Sequence, residues 1–431
     1  MKKVLILTVT AGNGHNACAK GMKTKLEQIA GEDVEVKIVD LLKKYSTAKQ
    51  AWTADKGYNL AVSKFLPIYH ICYNHFKKRS SDKRWTGATQ TTALSTVGGL
   101  LKELLEFQPD VVYCTHFYPA IALTDLKLLY NFPCKVVVSN LDYVNSPFWE
   151  SAIGVDYFIV PNEDFIAESM DEGFKKEQLL PLGLPCDGRT LEKWDKDEAR
   201  KELGLEKDVF TVMVMFGGGC WKGGRKIFND IISSLKGKKA QVIMINGKNQ
   251  EDFERIEKMD FPDGIKVVNV GFTNQVPLYL ASCDVIVNKF GGTSVTEMIN
   301  IGRPMLITEK IPTQELYNLK YMKEKGVALS FKNKKELNKN LTLLYNDKSL
   351  RQRMEEKTVA LRKNAITDLA KLILNFDKAD YSDFKAKLSS LKHVEDDGKK
   401  YKVEENKEIR KNVKVAMKKE HKKSMQARKT A

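Results

Sequence analysis

The sequence lacks any segment that could cross a membrane as a helix. No run among its 431 residues approaches ~18 consecutive apolar positions, and the mean hydropathy is −0.37. The apolar run at residues 4–9 is also shorter than the roughly 7 to 15 residues of a secretion signal core. We therefore expect a soluble, folded chain without a cleaved leader, for which any membrane contact is peripheral.

Paired cysteines and an acidic excess are absent as well. The seven cysteines are scattered and odd in number, with no Cys-x-x-Cys pair, which argues against a disulfide framework or structural zinc site and favours a reducing compartment. Lys and Arg number 71 against 55 Asp and Glu, a net charge of +16. This balance favours an anionic partner: nucleic acid, a phospholipid surface or a phosphorylated ligand.

What the chain does contain is a repeated alternation of short apolar runs with helically spaced stretches. This alternation predicts two α/β domains with parallel, doubly wound sheets. We place the first domain at residues 1–190 and the second at 191–350. A helical segment at 351–376 is expected to cross back to the first domain, and a basic tail at 377–431 is expected to be flexible. The predicted strands are 4–9, 34–39, 111–114, 136–139, 157–160, 210–215, 242–245, 267–270, 285–287 and 305–307.

The loop after the first strand carries the first candidate site. It reads Thr-Ala-Gly-Asn-Gly-His at residues 10–15 and opens a helix. Glycines there let backbone N–H groups approach an anion or sugar, and His15 is a candidate general base. The spacing is not Gly-x-Gly-x-x-Gly and no phosphate-binding Lys follows, which disfavours a nicotinamide cofactor or ATP. The alternative is an ordinary strand-to-helix turn.

The second candidate site lies at residues 288–297, again between a strand and a helix. Gly291 and Gly292 permit close approach, Ser294 can donate to phosphate oxygens, and Glu297 can accept two ribose hydroxyls. This pattern fits a nucleoside diphosphate. The alternative is a capping box, in which Ser294 caps the helix and Glu297 completes the pair.

Three further loops follow predicted strands. Gln314 and Glu315 suit the hydroxyls of a hexose, with a solvated helix cap as the alternative. Glycines at 217–219 and the Asn-Gly-Lys-Asn at 246–249 lie at carboxyl ends of strands, where open α/β sheets bind ligands. No pair of carboxylates spaced like Asp-x-Asp lies on a suitable loop, so a metal is not indicated.

Residues 41–94 interrupt the first domain without a clear strand. Between residues 43 and 84 there are ten basic residues and only two acidic ones, interspersed with aromatic residues. Ile68, Cys72 and Phe76 are spaced for one face of a helix. Basic and aromatic side chains together favour docking on an anionic membrane surface. The alternative is a helical lid with a solvated charged face.

Taken in order, these motifs resemble the diacylglycerol glycosyltransferases of the monogalactosyldiacylglycerol synthase type. This group within glycosyltransferase family 28 also includes processive bacterial glucosyltransferases. The resemblance spans about residues 3–371. Its residues are Gly12 to His15, Thr115-His116, Asp142, Trp149, Gly247 to Asn249, Lys289, Gly291-Gly292, Glu297, Pro312, Gln314-Glu315 and Asn318.

The resemblance implies a GT-B fold, two Rossmann-like domains facing across a cleft, and inverting transfer without a metal or cofactor. It implies that Glu297 holds the ribose, that Gln314 and Glu315 hold the hexose, and that Phe272 lies beside the uracil. The full donor set is Gly14, Gly217, Gly218, Asn249, Phe272, Lys289, Gly291, Gly292, Ser294, Glu297, Gln314 and Glu315.

For catalysis we favour His15 as the base over His116 and Asp142, and we expect a structural role for His116. Asp142 remains in the catalytic set. The predicted acceptor and membrane contacts are Trp52, Phe65, Tyr69, Tyr73, Lys77, Lys78, Arg79 and Trp149.

The function expected from these residues is transfer of a hexose from UDP-glucose or UDP-galactose to diacylglycerol or a glycolipid. The enzyme would be cytoplasmic and peripheral on the inner face of an anionic membrane, with no specific nucleic-acid partner. Two alternatives stay open. One is transfer of N-acetylglucosamine to another lipid, and the other is a non-catalytic, basic membrane or nucleic-acid binding protein on a degenerate GT-B frame.

Overall fold

A computed structural model describes residues 1–11, 14–78, 87–216, 223–390, 394–396 and 401–403, with single positions at 415, 419, 422 and 426. The predictions for Gly12, Asn13, Arg79, Gly217 and Gly218, and most of those for the basic tail, lie outside the described residues. The chain divides into two compact units. Unit one comprises Met1–Cys186 with Asn364–Ala431, and unit two comprises Asp187–Lys363.

Unit one is built on a six-stranded parallel sheet in the order β2-β1-β3-β4-β5-β6. Its strands are β1 (Lys2–Thr8), β2 (Val34–Asp40), β3 (Val111–Cys114), β4 (Lys135–Ser139), β5 (Tyr157–Ile159) and β6 (Leu179–Leu180). Its first helices are α1 (Gly14–Ala30), α2 (Leu41–Tyr45), α3 (Ala48–Trp52), α4 (Tyr58–Lys64), α5 (Leu66–Lys78), α6 (Gly87–Phe107), α7 (Phe117–Tyr130) and α8 (Ile166–Asp171).

Unit two contains a second six-stranded parallel sheet, in the order β12-β11-β10-β7-β8-β9. Its strands are β7 (Phe210–Met215), β8 (Ala240–Ile245), β9 (Ile265–Val270), β10 (Val285–Asn288), β11 (Met305–Thr308) and β12 (Ala328–Phe331). Its helices are α9 (Lys196–Glu202), α10 (Gly224–Leu235), α11 (Gln250–Glu257), α12 (Val276–Ser282), α13 (Gly292–Ile301), α14 (Thr313–Glu324), α15 (Lys334–Asn346) and α16 (Lys348–Ala360).

All ten predicted strands are present, because strands covered on both faces appear in sequence as continuous apolar runs. Every residue of β7, β8 and β10 is buried. In the two six-stranded sheets, two strands were not predicted: β6 has only two residues, and β12 is a short strand at the sheet edge. Helix α7 is apolar on almost every side, so the sequence shows no helical period there.

The described residues of the segment predicted to lack strands are mostly helical. Helices α2 to α5 cover most of it, with a π-helical turn at Thr53–Gly57 between α3 and α4. Among the described residues, no helix is long and apolar enough to span a bilayer.

The chain returns to unit one at Asn364 through α17 (Ala365–Asn375), which packs on α1. Helix α18 (Ser382–Ser389) follows, within the segment expected to be flexible. Tyr381, Phe384 and Leu388 are buried there, and Phe384 packs edge-on against Phe132 with ring centroids 5.3 Å apart. The structure therefore differs from the prediction as far as Ser390, because apolar side chains anchor this stretch. An antiparallel pair, β13 (Val394–Asp396) and β14 (Tyr401–Val403), lies beyond it.

Candidate active site

The loop between β10 and α13 leaves the first turn of that helix open. Gly291 occupies the cap position at φ −63° and ψ 138°, and no described side chain hydrogen-bonds the first amides. Because the helix begins at Gly292, Ser294 lies at its third position rather than at the cap. The structure thus excludes the capping-box alternative for Ser294 and Glu297. The leading backbone N–H groups of α13 keep their capacity to bind an acceptor.

The glycine at 291 is not required by the fold itself. Its negative φ suits any residue, and a Cβ added there would meet only Oε1 of Glu315, at 3.8 Å. The missing side chain therefore leaves space above the start of α13. Space beside exposed amide groups at a helix start is what the close approach of an anionic ligand needs.

Glu315, at the start of α14, holds this loop in place. Its carboxylate accepts the backbone N–H of Phe290 at 3.0 Å and lies 3.3 Å from Nζ of Lys289. Asn318 donates from Nδ2 to the carbonyl oxygen of Phe290 at 3.0 Å. Glu315 and Asn318 are both buried, so these bonds are shielded from water and restrain the loop backbone. The hexose contact of Glu315 stays a prediction, and the structure adds a positioning role.

Lys289 brings a positive charge to the same helix start. Its side chain is 36% exposed, so its ammonium can meet a bound anion while remaining near Glu315. A cation beside open N–H groups and the positive end of a helix suits a diphosphate.

Glu297 lies in the second turn of α13, and it is partly buried. Burial raises the pKa of Glu297 to about 7, with a further rise from the nearby Asp187 carboxylate and an opposing effect from Arg189. Among the described residues, none donates a hydrogen bond to Glu297. Its oxygens are therefore open to ligand hydroxyls.

Asp187 and Arg189 were missed by the sequence analysis, which named no site residue at the end of the first domain. Nε of Arg189 donates to Oδ1 of Asp187 at 3.0 Å, and Nη1 donates to the carbonyl oxygen of Asn274 at 2.8 Å. The Asp-Gly-Arg triplet at 187–189 was the one sequence signal, and it is too short to be specific.

The other predicted donor contacts of unit two differ from one another in environment. Phe272 is 65% exposed, with Nζ of Lys248 5.9 Å from its ring centroid, so its face is accessible for stacking on a base. Asn249 caps α11: its Oδ1 accepts the N–H of Asp252 at 3.1 Å. Gln314 is partly exposed beside Glu315. Their contacts to a sugar nucleotide remain predictions.

In unit one, His15 is held in a single tautomer at the start of α1. Its Nδ1 contacts the carbonyl oxygen of Thr115. Because a carbonyl can only accept, Nδ1 carries the proton, and Nε2 is left with its lone pair. Burial lowers the pKa of His15, although the bond to Thr115 opposes this shift. The imidazole is therefore neutral at pH 7 and able to accept a proton through Nε2. Gly14, the first residue of α1, is partly exposed beside it, and its donor contact remains a prediction.

His116 has a different role from His15, although their ring centroids are only 4.7 Å apart. It caps α7, and its Nδ1 accepts the N–H of Tyr118 at 3.2 Å. Burial, with the neighbouring His15, lowers the pKa of His116 well below the usual value. The structure thus gives His116 the expected structural role.

A hydrogen-bonded chain joins residues on either side of His15. Nδ2 of Asn16 donates to Oγ1 of Thr10 at 2.9 Å, and both the N–H and the hydroxyl of Thr10 donate to Oδ2 of Asp40, at 3.0 and 2.5 Å. Asp142 lies after β4, partly exposed, and its backbone N–H donates to Oδ1 of Asn140 at 3.2 Å. The catalytic role of Asp142 stays a prediction.

Known protein families account for both units. Residues 15–186 match the model for monogalactosyldiacylglycerol (MGDG) synthase, and residues 213–373 match the model for the glycosyltransferase family 28 C-terminal domain. The chain belongs to glycosyltransferase family 28. The family predicted from the motifs is therefore confirmed, with an MGDG synthase-type first domain.

Similar family members come from plants. The monogalactosyldiacylglycerol synthase of Spinacia oleracea, described as chloroplastic, is 25% identical over 362 residues, covering 81% of this chain and 67% of its own length. Monogalactosyldiacylglycerol synthase 2 of Arabidopsis thaliana is 24% identical over 78% of this chain and 72% of its own. The chain spans only 64% of a probable synthase from Glycine max.

Solved structures show the fold of this family 28 protein. MurG of Acinetobacter baumannii aligns with a TM-score of 0.57 at 14% identity, over 87% of this chain and 99% of that one. The calicheamicin glycosyltransferase CalG4 aligns at 0.54, also at 14% identity, over 87% and 98% of the two chains. The two six-stranded parallel sheets with flanking helices match these GT-B glycosyltransferases, which confirms the predicted fold class.

The basic, aromatic segment of the family 28 protein has one partly buried and one exposed face along α5. Tyr73 donates to Oγ of Ser146 at 3.2 Å, with Tyr69 beside it at a ring distance of 6.1 Å. Ile68 and Ile71 are 59% and 71% exposed. The predicted face of Ile68, Cys72 and Phe76 is therefore divided, since Phe76 packs on Phe148 while Ile68 and Cys72 face solvent.

Two predicted acceptor or membrane contacts are corrected. Trp149 is 4% exposed and packs in the core against Phe158, with ring centroids 4.9 Å apart. Lys77 forms ion pairs with Glu168 and Glu172, and its side chain is only 15% exposed. Neither residue offers its side chain to a membrane, because internal partners already hold it. Trp52, Phe65 and Lys78 are exposed, as a surface role requires.

Proposed function

We propose that this family 28 protein is an inverting, metal-independent hexosyltransferase. Its donor is UDP-glucose or UDP-galactose, and its acceptor is diacylglycerol or a glycosylated diacylglycerol. The names of the plant relatives, monogalactosyldiacylglycerol synthases, support a diacylglycerol acceptor.

The observation that carries the proposal is the open start of α13. A glycine that the fold does not require stands at the cap of α13, close in sequence to Lys289. In the second turn of the same helix, Glu297 carries a carboxylate to which no described residue donates a hydrogen bond. Backbone N–H groups with a nearby cation match a diphosphate, and the carboxylate matches the two ribose hydroxyls. A nucleoside diphosphate sugar satisfies both at once.

His15 supplies the proton acceptor that inversion requires. The acceptor hydroxyl oxygen attacks the anomeric carbon while Nε2 of His15 takes the hydroxyl proton. The bond from that carbon to the β-phosphate oxygen breaks, and its electron pair leaves with UDP. Lys289 and the N–H groups of α13 stabilise the charge that develops on the departing diphosphate. No residue needs to form a covalent intermediate.

Membrane attachment would use the exposed face of unit one. Phe65, Ile68 and Ile71 are at least half exposed, with Lys64 and Lys78 exposed on the same helices. The apolar side chains can enter the membrane interface while the ammonium groups contact anionic headgroups. Each ammonium group contributes about 1 kcal/mol of binding free energy. The proposed location is therefore peripheral, on the cytoplasmic face of a membrane.

Calorimetric titration with UDP, with and without EDTA, tests the donor site. We expect saturable binding that EDTA leaves unchanged. Product analysis with each UDP-sugar and extracted lipids then identifies the hexose and the acceptor. Absence of UDP binding together with salt-sensitive nucleic-acid binding would favour a non-catalytic protein. A product carrying N-acetylglucosamine on another lipid would replace the hexose assignment.

A further inference from the structure

A short 3₁₀ turn, Gly188–Leu191, stands at the start of unit two and is bonded to α13. Nδ2 of Asn300 donates to Oγ1 of Thr190 at 3.0 Å, and that hydroxyl donates to the carbonyl oxygen of Asp187 at 2.7 Å. Asn300 and Thr190 are both buried, so water competes little for these bonds. Because Asn300 lies three residues after Glu297 on the same helix, the turn is fixed beside the proposed ribose acceptor.

Within this turn, Asp187 orients the guanidinium group of Arg189. Nε of Arg189 lies 3.0 and 3.1 Å from the two carboxylate oxygens, and Nη2 donates to Oδ2. A guanidinium that donates twice to one carboxylate is held in a single plane. The pair is partly exposed, at 32% for Asp187 and 53% for Arg189, so it adds little to stability. Its main consequence is the direction in which the remaining nitrogen points.

The remaining nitrogen, Nη1, donates to the carbonyl oxygen of Asn274 at 2.8 Å. Asn274 belongs to the loop 271–275 between β9 and α12, which also carries Phe272. Among the described residues, Arg189 makes the only side-chain hydrogen bond from outside this loop to its backbone. Arg189 therefore restrains the loop that presents the exposed ring of Phe272.

The same guanidinium lies within electrostatic range of Glu297. Burial is the main cause of the raised pKa of Glu297, followed by Asp187, which raises it further, and Arg189, which lowers it. Glu297 and the loop of Phe272 thus have one charged side chain in common. This side chain links the expected ribose contact to the expected base contact within one unit.

The distance between those two contacts bears on which nucleoside fits. The ribose hydroxyls and the face of the base lie at opposite ends of a nucleoside. A purine carries a second fused ring that a pyrimidine lacks, so a loop held at one distance favours one ring size. Selectivity of this kind needs a platform that side-chain hydrogen bonds hold in place.

We propose that Arg189 is a positioning residue that holds the loop 271–275 at the distance from Glu297 that fits uracil, and so selects UDP over purine nucleoside diphosphates. The inference rests on the proposed function, since it takes Glu297 as the ribose acceptor and Phe272 as the base platform. Arg189 acts through the loop and does not contact the reacting atoms.

The test is calorimetric titration of the full chain with UDP and with ADP. Arg189→Ala should lower the ratio of UDP affinity to ADP affinity by about tenfold, because the loop loses a hydrogen bond from a charged donor. Arg189→Lys keeps the positive charge but lacks the planar fork, so it should lower the ratio nearly as much. Asp187→Asn, which weakens the anchor of the guanidinium, should lower it severalfold.

The ratio separates positioning from a general structural role. UDP and ADP share the ribose and the diphosphate, so any effect on Glu297 or on the start of α13 cancels. Arg255→Ala is the matched control, since Arg255 in α11 is also 53% exposed and also pairs with a carboxylate, that of Glu251. It should leave both affinities unchanged, and thermal unfolding verifies that each variant is folded.

A double-mutant cycle tests whether Arg189 acts through the loop. In a Phe272→Ala background, Arg189→Ala should leave the UDP to ADP ratio unchanged, because the base platform is already absent. An equal loss in both backgrounds would show that Arg189 acts by another route and would overturn the inference.

The remaining outcomes distinguish the inference from the proposed function. If the wild-type protein binds neither nucleotide, the donor site fails and the inference fails with it. Saturable UDP binding with an equal affinity for ADP, an unchanged ratio in Arg189→Ala, or a wild-type ratio in Arg189→Lys overturns the inference alone and leaves the donor site intact.

Discussion

The starts of α1 and α13 occupy similar places in the two units but present opposite chemistry. Each follows a buried parallel strand and begins at a glycine. In unit one the second residue of the helix is His15, whose Nδ1 is held by a carbonyl so that Nε2 can accept a proton. In unit two the loop ends at an uncapped helix with Lys289 beside it, which can only donate or attract an anion.

The difference shows that the neighbouring element decides what a glycine-opened helix does. The imidazole of His15 is held by the carbonyl of Thr115, which follows the neighbouring strand β3, whereas the backbone N–H of Phe290 is held by Glu315 from the next helix. One arrangement turns a side chain into a base, and the other exposes backbone amides. A proton acceptor and an anion binder are the two components that an inverting transfer needs.

The largest effect is expected from removing the base in unit one. His15→Ala should lower kcat by about 10² to 10⁴, the usual contribution of general base catalysis, and leave UDP affinity unchanged. Steady-state kinetics and calorimetry measure the two quantities. His75→Ala, at an exposed histidine of α5, is the matched control. Full turnover by a folded His15→Ala protein would move the base to another residue.

Removing the carboxylate in unit two should affect binding instead. Glu297→Ala should weaken UDP binding by about ten- to a hundredfold, because two ribose hydroxyls lose a charged acceptor. Calorimetry with UDP measures the change. Glu324→Ala removes an exposed carboxylate of the same unit and should leave affinity as it is. Unchanged affinity in Glu297→Ala would refute the ribose assignment.

Closing the space above α13 gives a smaller effect of the same kind. Gly291→Ala should cost at most about 1 kcal/mol of stability, since alanine is a poorer helix cap, and weaken UDP binding about tenfold by covering the first amides. Thermal unfolding and calorimetry separate the two effects. Gly57→Ala, which the structure also accommodates, serves as the control. Equal UDP affinity in both variants would show that the diphosphate lies elsewhere.

The smallest effect is a pH dependence. Because the pKa of Glu297 is raised to about 7, its ionised fraction grows from roughly 0.1 at pH 6 to 0.9 at pH 8. UDP affinity should therefore rise severalfold over this interval. The terminal phosphate of UDP titrates nearby, so the quantity to compare is the difference from Glu297→Gln, which lacks the titrating group. Parallel profiles for the two proteins would contradict the raised pKa.

Sequence alone could predict the strands and both glycine loops, since buried parallel strands and helix starts leave local patterns. It could not distinguish a capping box from an open helix start, because the residue at which α13 begins depends on the whole loop. It also misplaced Trp149 and Lys77. A basic residue such as Lys77, in a segment rich in basic and aromatic residues, looks like surface until Glu168 is brought against it from another element. No local pattern shows that Trp149 packs against Phe158.

By itself, then, the sequence determined the two parallel sheets, the order of the glycine-bearing loops and the family to which their motifs belong, because each depends on residues close together in the chain. The tertiary structure decided which nitrogen of His15 is basic, that Asp187 and Arg189 stand beside Glu297, and that Arg189 reaches the loop of Phe272. These properties depend on contacts between residues far apart in sequence. Burial and hydrogen bonding at such contacts set charge and accessibility, and no local pattern records them.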